Sequence, residues 1–489
     1  MSKFPDPTKN YEATPVTGAI DLSKTASPAP EPTPVYQAPP TATPETPTPP
    51  VAPTSIPAAP SSSPFRNLIP IIIGLGALIL LVVLGMALIP KLTKKTTPIT
   101  LNYWGLWEPN SVMQAVIADY ETAHPNVKIN YSMQSPKNYR SRITTNNNAS
   151  SAPDIIRIHN TWLPMLKKNL APAPSTILTT ADLADFYPVV QKDFVVGNQI
   201  YALPLEIDGL VLLYNQDIFT EAGLTPPSDW NALRQVALDL TTTNPDTGII
   251  ERAGIALGTT NNVEHWSDIL GLLILQNSGN PGVPSETAVS DALTFYTIFS
   301  TTDHSWDASQ PNSVYAFATG TVAMILAPSW QINEIKAINP ELNFGVVPAP
   351  VLPSANIAWA SYWAEAVPAT SANPEAAWEF IKYLASIEAL QKMYAGASAI
   401  RALGEPYPRV SMSNLLADDP LAAPFVNQGP NYTSWYLANR TYDEGINDQL
   451  IKYYEDAINA INGGSGVGGV VKTLGDGVAQ VLAKFPEAK

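Results

Sequence analysis

The chain has 489 residues, a net charge of −15, four histidines and no cysteine. Its length allows several domains, its acidity argues against a nucleic-acid partner, and the missing thiols exclude disulfides, thiolate metal sites and a lipid-modified cysteine anchor. His124, His159, His265 and His304 stand far apart and no HExxH spacing occurs, so no metal or cofactor is expected.

Residues 1–64 hold 17 of the 48 prolines, with abundant Thr, Ala and Ser. Such a segment cannot bury enough apolar area to offset its chain entropy. It reads as a disordered spacer with polyproline II bias, and PxxP matches such as Pro44–Pro47 read as part of that spacer. Leu68–Ile89 is then a run of 22 uncharged residues. A bilayer core needs about 20 apolar residues in a helix, so residues 65–95 are expected to form a single transmembrane helix with its flanks. The rival reading, a signal peptide cleaved near Gly85-x-Ala87, fits poorly with so long a leader. Lys91, Lys94 and Lys95 follow the run and Arg66 precedes it. That bias favours a cytoplasmic C-terminal side, but the rule weakens for long translocated domains.

Residues 99–489 are the globular part, too long for one comfortable core, so two lobes are expected. Ile99–Trp104 alternates as a strand, and Gly105–Pro109 turns. Asn110 or Ser111 is expected to cap a helix carrying Val112, Met113, Val116, Ile117 and Tyr120, stopped by Pro125. Val127–Tyr131 and Asp154–His159 are further strands, giving an alternation that predicts a mostly parallel α/β sheet. Ligands of such sheets sit beyond the carboxyl ends of strands, where Trp104, Trp107, His159, Asn160 and Trp162 fall.

Tyr201–Asn215, YALPLEIDGLVLLYN, reads as one extended buried stretch interrupted by Glu206 and Asp208. On a strand these acids share a face. The stretch is either an edge strand with a wet face or a crossing between lobes with acids facing a cleft. Further on, helices are expected from Asp229–Trp230 to Leu240, over Asn261–Gln276, from Asn373–Pro374 to about Ser386, over Ser434–Ile461 and over Val470–Lys484. Residues 316–330 read as helix, turn, strand and loop. Phe344–Val347 and Ile357–Pro368 read as extended.

The ordered pieces ITLNYWGLWEP, HPNVKINY, APDIIRIHNTW, YALPLEIDGLVLLYNQDIF with PPSDW, AFATGTVAMILAPSW and NPEAAWEFIKYL resemble the family 1 extracellular solute-binding proteins. These are carbohydrate-binding receptors of ABC importers, of which maltose-binding protein is the best-known member. The resemblance covers nearly all of residues 99–489. It departs at the front, where a membrane helix behind a proline-rich tail replaces a lipid-anchored cysteine. It implies a two-lobed, type II periplasmic-binding-protein-like α/β fold with hinge crossings. Lobe I would be about 99–207 plus 361–405, and lobe II about 209–358 plus 410–489. Crossings would fall near Ile207–Gly209 and Ala358–Tyr362, with a further passage between Arg401 and Ser413. It also implies a domain outside the cell, with permease subunits of an ABC transporter as partners and a carbohydrate as ligand.

A sugar offers hydroxyls and an apolar ring face, which tryptophans beside Asp, Glu and Asn would receive. The residues expected at the ligand are Trp107, Asn160, Trp162, Asp208, Trp266, Trp330, Tyr362, Trp363 and Trp435, the family's aromatic positions matching at Trp330 and Trp435. Trp230, Trp306 and Trp378 are expected to pack. Two other classes stay in view. Glu206 and Asp208 have the separation of a glycosidase pair, and a surface adhesion protein could keep this fold without transport. No triad, P-loop or metal motif points to another reaction. Gly464–Gly469 matches GxGxxG by letter but follows a helix, so it reads as an interhelical loop.

Overall fold

The computed structural model describes residues 97–145, 152–353 and 355–488. The tail over 1–64 and the span Leu68–Ile89 lie outside them; among the described residues no helix is long and apolar enough to cross a membrane.

Two five-stranded sheets organise the rest. The first contains β1 (Ile99–Gly105), β2 (Val127–Met133), β3 (Ile155–His159), a short β6 (Leu203–Pro204) and β13 (Trp363–Ala366), in the order β2-β1-β3-β13-β6. A hairpin of β4 (Val195–Val196) and β5 (Gln199–Ile200) lies between β3 and β6 in the chain. Leu101 and Tyr103 of β1 and all five residues of β3 are buried. The helix Asn110–Ala123 covers this sheet through Val112, Met113, Val116, Ile117 and Tyr120, as its helical spacing requires. The expected Asn or Ser cap is absent: Pro109 holds the N-cap position, with no side-chain cap bond.

The second sheet contains β7 (Val211–Asn215), β8 (Thr242–Thr243), β9 (Ile250–Ile255), β10 (Val322–Ala327) and β11 (Phe344–Pro348), in the order β11-β7-β10-β9-β8. Its helices include Trp230–Leu240, which starts where expected and is capped by Asp229, whose carboxylate accepts from Ala232 N at 2.9 Å. In the first sheet four of the five strands run the same way, as expected, and only β13 is reversed; the second sheet is mostly antiparallel. β1 pairs in parallel with β2 and β3, but β13 runs antiparallel to both its neighbours, and in the second sheet only β9–β10 is parallel. β7 and β13 are the strands the chain enters after passing between the sheets, and each runs against both of its neighbours; β8 and β9 are consecutive antiparallel strands, which need no helical crossover.

The stretch 201–215 is likewise not one strand. β6 ends at Pro204, residues 205–210 run irregularly between the sheets, and β7 begins at Val211. The chain returns over residues 349–362, through β12 (Ala358–Trp359), which pairs in parallel with β14 (Tyr432–Thr433). These passages are stitched together by backbone bonds: Leu210 N to Trp359 O at 3.2 Å, Ser361 N to Asp208 O at 3.0 Å, Ala360 N to Thr433 O at 3.0 Å and Ile207 N to Pro406 O at 2.9 Å. The helix expected over 434–461 starts only at Ile446. Residues 434–445 are irregular, with Arg440, Tyr442 and Glu444 all in the left-handed region.

At Gly209 a Cβ would lie 1.9 Å from the Trp359 carbonyl oxygen, a backbone atom that cannot swing away. Gly209→Ala should therefore lower unfolding free energy by about 2 kcal/mol or more, as overpacking against fixed atoms does. Urea denaturation checks this; a stability equal to the parent's would show that the two crossings can separate at no cost.

Candidate functional site

Where the crossings meet, the two sheets leave a cavity of about 310 Å³. From the first-sheet side come Trp107, just beyond β1, His159 at the end of β3, Ser361 and Trp363 around the start of β13, and Arg401 with Glu405. The second side contributes His265 and Asp268 at the start of helix Trp266–Gln276, Trp330 and Asn333 on helix Trp330–Ile338, and Asn439, Arg440 and Tyr442. The floor is the crossing itself, with Glu206, Asp208 and Gly209.

The aromatic walls are braced by one another. Trp363 meets Trp107 edge to face at 5.5 Å, Trp162 at 5.3 Å and His159 at 5.0 Å. On the other side Trp330 meets His265 edge to face at 5.4 Å, and the Arg440 guanidinium lies 5.2 Å from the Trp330 ring centre while bonding Glu264. Trp107, Trp330 and Trp363 remain only half-buried, so ring area is left for a guest.

The acids of the floor hold different partners. Asp208 accepts from Ser329 N at 2.9 Å, Ser329 Oγ at 2.8 Å and Gly209 N at 2.7 Å, which ties the crossing to the residue preceding Trp330. Glu206 instead lies beside Glu405, with carboxylate oxygens of the two within 4.8 Å of each other. Burial first, and then Glu405, pushes Glu206 well above the carboxylate range. Burial would also raise Glu405, but Arg401 and the hydrogen bond from Glu206 outweigh it and hold it low. The two acids thus do not act as a matched pair on one strand face, as the uninterrupted strand implied. His159 is enclosed, with Nδ1 at 2.8 Å from Thr161 Oγ1 and Nε2 at 3.1 Å from Ser361 Oγ; burial lowers its pKa to about 3, so it is neutral.

Of the residues expected at the ligand, Trp107, Asp208, Trp330 and Trp363 come together on this cavity. Asn160 and Trp435 line a separate cavity of about 300 Å³. There the Asn160 side chain is already engaged, donating to Asp193 at 2.8 Å and accepting from Tyr362 N at 3.3 Å. Trp162 and Tyr362 are fully enclosed, Tyr362 donating to Asp193 at 2.9 Å, and line neither cavity. Trp266 is buried too, and its neighbours His265 and Asp268 reach the wall instead. Sequence reasoning passed over Arg401, Glu405, Asn439, Arg440 and Tyr442 as site residues. They sit in stretches without strand or helix periodicity, and no local signal marks them. Trp230, Trp306 and Trp378 are fully enclosed, each with its indole N–H satisfied.

The chain belongs to the bacterial extracellular solute-binding protein family, whose model matches residues 105–391. It is 22% identical over 276 residues to a putative binding protein of Brucella abortus, covering 54% of this chain and 66% of that protein, just under two thirds of its length. It is 22% identical over 316 residues to the multiple sugar-binding protein of Streptococcus mutans, 61% of this chain and 74% of that one. Among solved structures, a cyclo/maltodextrin-binding protein complexed with maltotetraose superposes with a TM-score of 0.65 at 16% identity, over 80% of this chain and 99% of that chain. The sugar-binding protein MalE of Xanthomonas citri does so with a TM-score of 0.65 at 23% identity, over 79% and 98%. At such identities these structures establish the fold, a mixed α/β architecture matching two-lobed sugar-binding proteins.

Asp208 carries a pH signature. Burial lifts its pKa from 3.8 to about 7 despite its three donors. The folded state therefore holds a proton that the unfolded state has lost, and stability should fall as pH rises from about 4 to 7. At about 1.36 kcal/mol per unit the effect is roughly 4 kcal/mol at most. Asp208→Asn should flatten that part of the slope, read by urea unfolding at pH 5 and pH 7.5; an unchanged slope would place the titration elsewhere.

Proposed function

We propose that this protein captures a carbohydrate in the 310 Å³ cavity between its two sheets, outside the cell, and presents it to the permease of an ABC-type importer. The observation that carries this reading is the pairing of half-buried tryptophan faces with fixed polar groups, contributed from both sides of the crossing. Indole faces pack on sugar C–H surfaces, and carboxylate, imidazole and amide groups bond hydroxyls. The volume suits a small ligand. The lobes correspond to residues 99–207 with 361–405 and 209–358 with 410–489, and a ligand touching both sets of walls favours their closure. Leu68–Ile89 tethers the domain to the membrane, with the tail on the cytoplasmic side. Binding without turnover fits a floor whose Asp208 is committed to Ser329 and Gly209 and whose Glu206 faces Glu405.

A thermal-shift screen of mono- and oligosaccharides identifies the ligand, since 100 times Kd stabilises by about 2.7 kcal/mol. With that ligand, Trp330→Ala should cost about 2 kcal/mol of binding in calorimetry, roughly 30-fold in Kd. Trp378→Ala, which removes an enclosed ring that does not line the cavity, should lower stability and leave affinity in place. Full affinity in Trp330→Ala would remove the aromatic cavity from the mechanism. Chromatography of sugars incubated with the protein should show no new products; hydrolysis lost in Glu206→Gln would convert the reading to a glycoside hydrolase.

A further inference from the structure

The cavity floor contains one carboxylate more than its cations can serve. Carboxylate oxygens of Glu108, Glu206 and Glu405 all lie within 4.8 Å of one another. Two guanidiniums face this cluster. Arg157, itself enclosed, donates to Glu108 at 2.5 Å and to Glu365 at 2.7 Å. Arg401 pairs with Glu405. Neither is hydrogen-bonded to Glu206, which is 5% exposed and lines the cavity. Among the described residues no hydrogen-bond donor reaches its side chain, and its neighbours in the cluster are other carboxylates. The next acid on the floor, Asp208, brings no positive charge and is itself engaged by Ser329 and Gly209. A carboxylate in that position is costly unless something positive reaches it. Its wider opening is the cavity; a second void beside it, next to Glu108, Arg157 and Leu390, holds only about 20 Å³.

We propose that the ligand of this cleft carries a protonated amine, which seats on Glu206 beside Glu405, so that the site selects a basic sugar over its neutral analogue. The proposal rests on the carbohydrate reading above. An ammonium has three donors and no acceptor, so it can serve both carboxylates at once. In the empty cleft a proton on Glu206 performs the neutralisation, donating to Glu405; the incoming amine replaces it, and that proton leaves to solvent. A hydroxyl in the same place bonds the pair but brings no charge. A metal ion suits the cluster less well, because Glu108 is already occupied by Arg157, whereas an amine needs only the two carboxylates that line the cavity. The tryptophan walls are left for the rest of the sugar.

The test is calorimetry on the full-length chain with sugar pairs that differ in one group: glucosamine and glucose, galactosamine and galactose, chitobiose and cellobiose, with the N-acetylated forms as uncharged controls. In the pair that fits the cleft, the amine should bind about tenfold more tightly or better. Its affinity should rise from pH 5 to pH 7 as Glu206 gives up its proton more readily. Binding heats in buffers of different ionisation enthalpy should report a released proton. Glu206→Gln, which copies the neutral shape of the protonated acid, should equalise the two members of the pair. If that variant does not fold, proton release by the parent decides alone. A hydroxyl member that binds as tightly as its amine, or a preference that survives Glu206→Gln, overturns the proposal and leaves carbohydrate binding standing. Failure of every sugar to bind overturns both. Calcium chloride that stabilises the parent but not Glu206→Gln, with no preference for amines, assigns the cluster to a metal ion and overturns the proposal as well.

Discussion

The molecule depends on one close approach. Gly209 lies against the carbonyl of Trp359, and the two crossing segments bond to each other on both sides of that contact, at Leu210 and at Ser361. Only a residue without a Cβ permits it. Because both crossings pass through this point, the two sheets share a narrow junction, and everything on the cavity floor inherits its position from there. Asp208 precedes the glycine and reaches Ser329, and Glu206 lies two residues further back. A further backbone bond, from Ile207 to Pro406, brings in the segment that carries Arg401 and Glu405. A junction of few residues that absorbs the dihedral change is what rigid-body closure of two lobes requires.

Charge around the floor is arranged unevenly. Arg157 is enclosed and its two nearest carboxylates, Glu108 and Glu365, are both bonded to it; Tyr103 adds a hydroxyl donor to Glu365 at 2.7 Å. Removing one partner from such a set leaves an uncompensated buried charge, worth about 3–5 kcal/mol. The cluster is therefore a rigid support under β1, β3 and β13, the strands whose ends carry Trp107, His159 and Trp363. Glu206 stands at its edge near Arg157 and Arg401 but bonded to neither, and that imbalance separates the part of the floor that supports the fold from the part that lines the cavity.

The segment 434–445 joins the second sheet's helices to the first lobe. Arg140 donates to the carbonyls of Asp443 and Glu444, and Asn447 Nδ2 donates to Thr161 Oγ1 at 2.7 Å. Three left-handed residues, Arg440, Tyr442 and Glu444, give it a shape that no regular element has, and it places Arg440 and Tyr442 at the cavity wall. Left-handed backbone at non-glycine residues costs energy and persists where surrounding bonds over-determine it. Here those bonds come from both lobes.

Local pattern carried much of this architecture. The alternation of Ile99–Trp104, the helical spacing of Val112–Tyr120 and the extended run Phe344–Val347 each name their element, because burial of one face dictates which positions are apolar. The ordered motifs also implied a cleft between lobes, and of the nine residues expected at its ligand Trp107, Asp208, Trp330 and Trp363 line the cavity. The direction of the added strands in each sheet was not legible, since it follows from where the chain re-enters after a crossing. Nor was the break at 205–210, whose apolar residues are buried like strand residues but at a junction rather than in a ladder. Trp162, Tyr362 and Trp266 have the chemistry of a sugar site and are enclosed all the same, because residue type says nothing about which face of a ring stays open. Arg401, Glu405 and Arg440 reach the floor and wall from more than a hundred residues beyond Glu206. The sequence alone determined which segments must bury a face. Only the tertiary structure decided which carboxylate would be left without a bonded cation, because ion pairing depends on distances of a few ångströms between residues that the chain holds far apart.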